Sequence, residues 1–325
     1  MVISQTPLRV SFLGGGTDLS VFYEIEDGCV VSSSIDKYVY VIIKKRFDDL
    51  IVLNYSKKEI VEDVHAIRHA LIREAMRKAG IERGVEITTL ADVPSEGSGL
   101  GSSSSITVGL LNALHTYGGN QKTAADLAQE ACEIEIDIMG KPIGKQDQYI
   151  AAYGDVCMLT FKRGGEVLVE RLGFSDERRS RLSENLLLFY TNRTRSASDI
   201  LSEQREQSPN NIEILRRIKQ HALDARRVLE NNSFDTLGEL IKETWECKKR
   251  LARRISDPEI DTLYELALFS GALGGKLSGA GGGGFLFLYC PLEAQRKVRS
   301  ALGHLRELPF TLERSGSRII FNTGR

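Results

Sequence analysis

The sequence predicts a mixed fold of strands and helices in two domains. Three observations carry that expectation. Short alternating or β-branched runs are interleaved with longer runs of helical period along the chain. The length of 325 residues fits two domains, or one large one. Two glycine-rich stretches, residues 97–101 and 274–284, abut apolar segments instead of floating between polar ones, as loops with a job do.

The elements follow in order. Residues 8–13 alternate as a strand, and Gly14, Gly15 and Gly16 end it, with Thr17 and Asp18 next as a cap or a ligand contact. Residues 29–33, 38–44 and 51–55 read as further strands, 38–44 being β-branched and aromatic. Residues 65–79 read as a helix stopped by Gly80. His65 and His69 stand four apart on it; without a third ligand they read as a solvated face. Residues 85–90 are a strand leading to PSEGSGLGSSSSITVGLLNAL, residues 94–114. There Gly97, Gly99 and Gly101 allow positive φ and close approach, and Ser102–Ser105 supply an N-cap or first turn. Unpaired N–H groups and the positive end of the dipole make a helix start an anion site. The plainer alternative is a flexible linker before a core helix. No Lys follows the last glycine as in a P-loop, and the spacing is not the dinucleotide one.

Residues 123–139 form the next helix, with Thr123 and Asp126 placed as a capping pair. Glu130, Glu133, Glu135 and Asp137 crowd its C-terminal half, where the dipole disfavours them; such a broken rule points to a site or to a solvated acidic face. Residues 156–161 and 166–171 form a hairpin around Arg163, Gly164 and Gly165, and a first domain ends near there. Residues 186–190 are a buried strand. Arg193 and Arg195 follow it, suited to a phosphate or to salt bridges across the loop. Residues 209–256 are helical, broken at Asn231 and Asn232; the cluster Lys248, Lys249, Arg250, Arg253 and Arg254 reads as a solvated face. A short helix (260–270), the glycine run, a strand (285–289), a helix (292–302) and a strand (317–322) complete the chain.

Composition narrows the partners. A net charge of −1 gives no reason to expect nucleic acid or a membrane surface. Five scattered cysteines without C-x-x-C pairing read as reduced thiols in a cytoplasmic protein. The first residues do not read as a signal peptide, and no run of about 18 apolar residues predicts a membrane span.

Three segments together resemble the motifs of the GHMP kinases, in type and in order: TPLRVSFLGGGTDL from residue 7 onward in its core, the Gly-Leu-Gly-Ser-Ser core at 99–103 with Pro94 upstream, and KLSGAGGGG at 276–284. Gly15 and Gly16 replace the Glu and His of galactokinases, and the Gly-Gly-Gly-Thr-Asp form is nearest the heptose-phosphate and fucose kinase branch. The resemblance implies an α+β, two-domain fold, with a ribosomal-protein-S5-like domain over residues 1–172 and a ferredoxin-like domain with added helices over 173–325. It implies ATP-dependent phosphorylation of a small-molecule hydroxyl in the cleft between them. Carried over position by position, Gly97, Ser98, Gly99, Leu100, Gly101, Ser102, Ser103 and Ser104 would hold the ATP phosphates. Ser103 and Glu135 would coordinate Mg²⁺. Asp147, in a Gly-x-x-Asp-Gln match, would be the base at the acceptor hydroxyl, with Arg9 beside it. Gly15, Gly16, Thr17, Asp18 and Gly281 would meet the sugar. For a phosphorylated acceptor, Arg193, Arg195, Lys37 and Lys145 are the cationic candidates. The expected acceptor is D-glycero-D-manno-heptose 7-phosphate, phosphorylated at O1. An L-fucose or other free-sugar kinase is the alternative, and a silent sugar-sensing paralogue the non-enzyme one. A monomer or homodimer is expected.

Overall fold

The computed structural model describes residues 1–94, 97–193 and 197–324. Strands β1 (Val2–Leu13), β2 (Gly28–Lys45), β3 (Ile51–Asn54), β4 (Lys58–Val61), β5 (Val85–Ala91), β6 (Val156–Phe161) and β7 (Val167–Arg171) belong to one sheet. Strands β8 (Leu186–Tyr190), β9 (Gly274–Leu277), β10 (Phe285–Tyr289) and β11 (Arg306–Glu307) form a second, antiparallel sheet in the order β11-β8-β10-β9. The last strand, β12 (Arg318–Asn322), returns to the first sheet and pairs with β1. The first sheet runs β12-β1-β2-β5-β3-β4, with β3 parallel to β5 and the β6–β7 hairpin on the other half of β2. An α+β fold is what the sequence predicts and what forms.

Two expected strands, 29–33 and 38–44, are one strand of 18 residues. Its register against β1 shifts between Pro7 and Leu8. The irregularity lets one half of β2 pair with β6 and the other with β5. Helix Ser102–Tyr117 lies across β1 and β2 and buries Val108, Leu110, Leu111 and Leu114 completely. Helices Ile212–Glu230 and Phe234–Lys248 pack together, Leu237 and Ile241 on the second sharing a core with Phe285 and Phe287 of β10. That core also takes Leu8, Val10 and Phe12 of β1, and the Phe12 and Phe287 rings stand 5.8 Å apart. One hydrophobic core thus joins the two sheets and fixes the walls of the cleft between them.

The expected helix over 65–79 starts later, at Ala70. His69 is its N-cap, its Nδ1 accepting from the Ile72 N–H at 3.4 Å, and His65 sits in a separate 3-10 turn. The two histidines therefore share no helix face. The capping pair Thr123 and Asp126 forms as expected, with both reciprocal hydrogen bonds. The helix it opens, Ala124–Cys132, runs on as a π-helix over Glu133–Ile138. Helix Phe234–Lys248 ends short of residue 256, to which the sequence predicts the helical stretch. Helices Asp176–Glu184 and Gln146–Tyr153 and the short strand β4 have no counterpart in the sequence reading.

Candidate active site

The glycine–serine loop after β5 ends in Gly101, which takes φ +77° immediately before helix Ser102–Tyr117. No serine caps this helix by its side chain; Ser102, Ser103 and Ser104 are its first turn. The Ser105 N–H donates to the Gly101 carbonyl (3.0 Å), so the amides before it have no partner further back in the helix. Those three residues line a cleft of about 810 Å³. The loop is held from behind. Leu100 is buried, and its carbonyl accepts from the Arg9 N–H at 3.0 Å. From the other wall, the second glycine-rich loop presses on it backbone to backbone. A Cβ on Gly99, whose φ is +72°, would stand 2.3 Å from the Ser278 carbonyl oxygen. The glycine density that costs chain entropy thus lets two loops from different sheets interlock.

Arg9 and Asp147 meet at the centre of the cleft. Arg9 Nε and Nη2 donate to the two Asp147 oxygens, each at 2.7 Å, and Nη1 donates to the Gly99 carbonyl at 2.6 Å. This fork-to-fork pairing sets the carboxylate plane. Arg9 is 5% exposed and Asp147 23%, so the arginine is the buried support and the carboxylate is open to the cleft. Asp147 lies in the first turn of helix Gln146–Tyr153, where the dipole favours its charge.

Asp18 is buried beside it. Its oxygens accept from the Gly16 N–H (2.9 Å) and from Gln146 Nε2 (3.1 Å). Burial pushes its carboxyl up; the Gly16 N–H opposes this and the charge of Asp147 adds to it. Gly144 makes the room, since a Cβ there would lie 2.0 Å from Asp18 Oδ2. On the same wall, Ser11 Oγ and Gln146 Oε1 are buried with no hydrogen-bond partner among the described residues. Buried polar atoms are normally paired, so this wall is shaped for a polar ligand.

Glu135 is fully buried in the π-helical segment. Ser103 Oγ and Lys141 Nζ donate to its Oε1 at 2.7 and 2.8 Å, and Gln148 Nε2 donates to Oε2 at 2.8 Å. Lys141 also reaches Ser103 Oγ at 2.8 Å. Hard oxygen donors from helix 102–117 and from the π-turn thus converge on one cation, here an ammonium. They fit Mg²⁺, which takes few protein oxygens and completes its shell from phosphate and water. Among the described residues no group of three or more His, Cys, Asp or Glu is arranged to hold a metal.

Gly15, Gly16 and Gly281 line the cleft, as do Gly97, Ser98, Gly99, Gly101, Ser102, Ser103 and Ser104. Leu100 and four other candidates do not line it. Thr17 does not reach the cleft: its hydroxyl lies 2.8 Å from the Gly14 carbonyl and accepts from the Cys29 N–H at 3.0 Å, tying the glycine turn to β2. Arg193 is taken up by Asp257 (3.0 Å) and Glu259, the loop salt bridges of the plainer reading. Lys37 pairs with Asp36 at 2.8 Å, and Lys145 donates to the Gly165 carbonyl at 2.7 Å. Arg195 lies outside the described residues. The sequence reading missed Ser11, Lys141, Gln146, Lys248 and Lys276, all of which line the cleft. Gln146 and Lys276 stand inside segments singled out for their neighbours. Lys248 was hidden in a run of surface cations.

Comparison with known proteins agrees with this geometry. Residues 53–155 match the model of the GHMP kinases N terminal domain, and residues 222–305 that of the GHMP kinases C terminal domain. A D-glycero-alpha-D-manno-heptose 7-phosphate kinase of Campylobacter jejuni is 30% identical, over 95% of this chain and 96% of its own. An L-fucokinase/L-fucose-1-P guanylyltransferase of Bacteroides fragilis is 31% identical over 69% of this chain, which spans only 24% of that protein. Among solved structures, a D-glycero-D-manno-heptose 1-phosphate kinase from Bacteriodes thetaiotaomicron superposes with a TM-score of 0.84 at 25% identity, each chain covered in full. The matched halves, the interlocked glycine loops and the full-length relative have one reading: this chain belongs to the GHMP kinases, in the sugar-kinase branch of the family.

Proposed function

We propose that this sugar kinase transfers the γ-phosphoryl group of ATP to the anomeric hydroxyl of D-glycero-D-manno-heptose 7-phosphate. The product would be the 1,7-bisphosphate, on a route to nucleotide-activated heptose. The observation that carries the reading is the open Asp147 carboxylate, clamped by Arg9 between a helix-start anion site and a wall of unsatisfied polar atoms. Phosphoryl transfer asks the protein for position and charge more than for covalent chemistry. The unpaired backbone amides at Ser102, Ser103 and Ser104 hold the transferring phosphates. Ser103 and Glu135 would hold Mg²⁺, which would offset phosphate charge. Asp18, Gln146 and Ser11 bind the sugar hydroxyls. Asp147 takes the proton of the anomeric hydroxyl as its oxygen bonds to the γ-phosphorus and the bond to the β-phosphate oxygen breaks, releasing ADP. We place the boundary between the two domains near residue 172, with residues 318–322 returned to the first sheet.

The C. jejuni relative supports a heptose phosphate as acceptor, and the B. fragilis relative keeps a free-sugar acceptor such as L-fucose as the second reading. Ser103, Glu135 and Asp147 all stand in the cleft, which speaks against a silent sensor. The test is ATP consumption with heptose 7-phosphate, free heptose, mannose, L-fucose and galactose, with Asp147→Asn alongside. Turnover of the heptose phosphate above the others is expected, falling about 10²–10⁴-fold in the variant. Preference for a free sugar would overturn the acceptor and leave the kinase.

A further inference from the structure

Four cationic side chains line the cleft among the described residues: Arg9, Lys141, Lys248 and Lys276. Arg9 is occupied by Asp147 and Lys141 by Glu135. The other two have no carboxylate partner. Lys248, the last residue of helix Phe234–Lys248, donates to the Gly279 carbonyl. Lys276, in the middle of β9, has no hydrogen-bond or ion-pair partner among the described residues, though it is only 4% exposed. Two buried lysines lining one cleft, neither with a carboxylate partner among the described residues, are costly in a folded protein. Burial pushes both lysines down, and the charge of Lys248 acts on Lys276 in the same direction. Asp18 opposes the shift of both lysines without forming an ion pair with either; an anionic ligand would complete the compensation.

The position says which anion. Arg9 and Asp18 act electrostatically on both lysines, and Asp147 on Lys248; Glu135, beside the serine cradle, is not among the main charges felt by either. Lys248 is hydrogen-bonded to Gly279, where a Cβ would lie 2.7 Å from Gly99 Cα, and Leu251, three residues on, stands 3.7 Å from where a Gly16 Cβ would be, so the pair lies between the glycine–serine loop and the Asp18 end of the cleft. Close packing puts it there: a Cβ on Gly274 of β9 would lie 2.0 Å from the Gly238 carbonyl oxygen, so helix Phe234–Lys248 rests directly on the strand that carries Lys276. Gly16 and Gln204 close the same end, Gln204 Nε2 standing 2.6 Å from where a Gly16 Cβ would be.

We propose that Lys248 and Lys276 form the subsite for the phosphate group the acceptor already carries. This rests on the reading of the acceptor as a sugar phosphate. Lys248→Met and Lys276→Met keep side-chain length and remove the charge. In each, KM for heptose 7-phosphate should rise about tenfold or more at saturating ATP, KM for ATP should stay within about twofold, and calorimetric binding of heptose 7-phosphate without nucleotide should weaken in parallel. Both variants should melt at or above the wild type, because a buried unpaired charge is gone. A rise in KM for ATP with the sugar phosphate unaffected would assign the lysines to the nucleotide and overturn the subsite. So would lower melting temperatures with both KM values unchanged, which mark a structural role. If wild-type enzyme uses free heptose as well as its phosphate, the acceptor reading falls and the subsite with it. If the wild type prefers the phosphate and both Met variants keep that preference, the subsite alone falls.

Discussion

At the scale of single residues, the site depends on carboxylates whose partners fix them. Arg9 spends two donors on Asp147 and a third on the Gly99 carbonyl, so one side chain aligns the proposed base and the glycine–serine loop together. A lysine has charge but no planar fork, and cannot serve both. Arg9→Lys should therefore lower kcat about tenfold or more and raise KM for ATP as well, since the loop loses its tie; steady-state kinetics at fixed Mg²⁺ would show both changes. Glu135 is a different case. Its carboxylate is fully buried and takes Ser103, Lys141 and Gln148. Glu135→Gln keeps the shape and loses the charge. The Mg²⁺ concentration for half-maximal activity should rise about tenfold while KM for the sugar changes little, as a titration of the metal would reveal.

At the scale of elements, the interlocked glycine loops make a sharper demand than either loop alone. Gly99→Ala places a Cβ against the Ser278 carbonyl and forces an L residue to φ +72°. It should lower the melting temperature and weaken ATP binding together, and calorimetry on the same sample would tie the two effects. Each loop was visible in the sequence because dense glycine beside an apolar run is a local signal. Their contact was not, because it joins residues nearly 180 positions apart. The same division runs through the other elements. Helix Ser102–Tyr117, the Thr123–Asp126 cap and β10 follow from short-range pattern. Helix Gln146–Tyr153 has no clear apolar stripe: Gln148 is buried, and its amide donates to Glu135 of the π-turn. The π-turn that aims Glu135 at Ser103 leaves no mark in a 3.6-residue period. Lys248 sits in a run of cations, and only the packing of its helix on β9 turns it inward.

At the scale of the molecule, one core holds two sheets and leaves between them a cleft lined by Glu135 and Lys141, by Arg9 and Asp147, and by Asp18, Lys248 and Lys276. That lining predicts a pH profile. Burial pushes Lys248 down from 10.5 to about 8, with Arg9 acting in the same direction and Asp18 and Asp147 opposing. Below about pH 8 the group is protonated and can hold a dianion; above it the charge is lost. A sugar phosphate becomes a dianion as pH rises through about 6. KM for the heptose phosphate should therefore be lowest between about pH 6 and 8, and climb on either side. Anion binding favours the charged ammonium, so the upper limb should move to higher pH in kcat than in kcat/KM. Stability should run the other way. Between about pH 8 and 10.5 the unfolded chain keeps a proton on Lys248 that the folded chain has lost, so the folded state gains stability as pH rises through that window. Lys248→Met should show that gain already at pH 7 and lose the upper limb of the KM profile. Both effects are read from one variant: melting curves and sugar-phosphate kinetics across pH 6 to 9 should change together if the cleft maintains an unpaired cation for its ligand, and an upper limb that survives in the variant would separate the titrating group from Lys248.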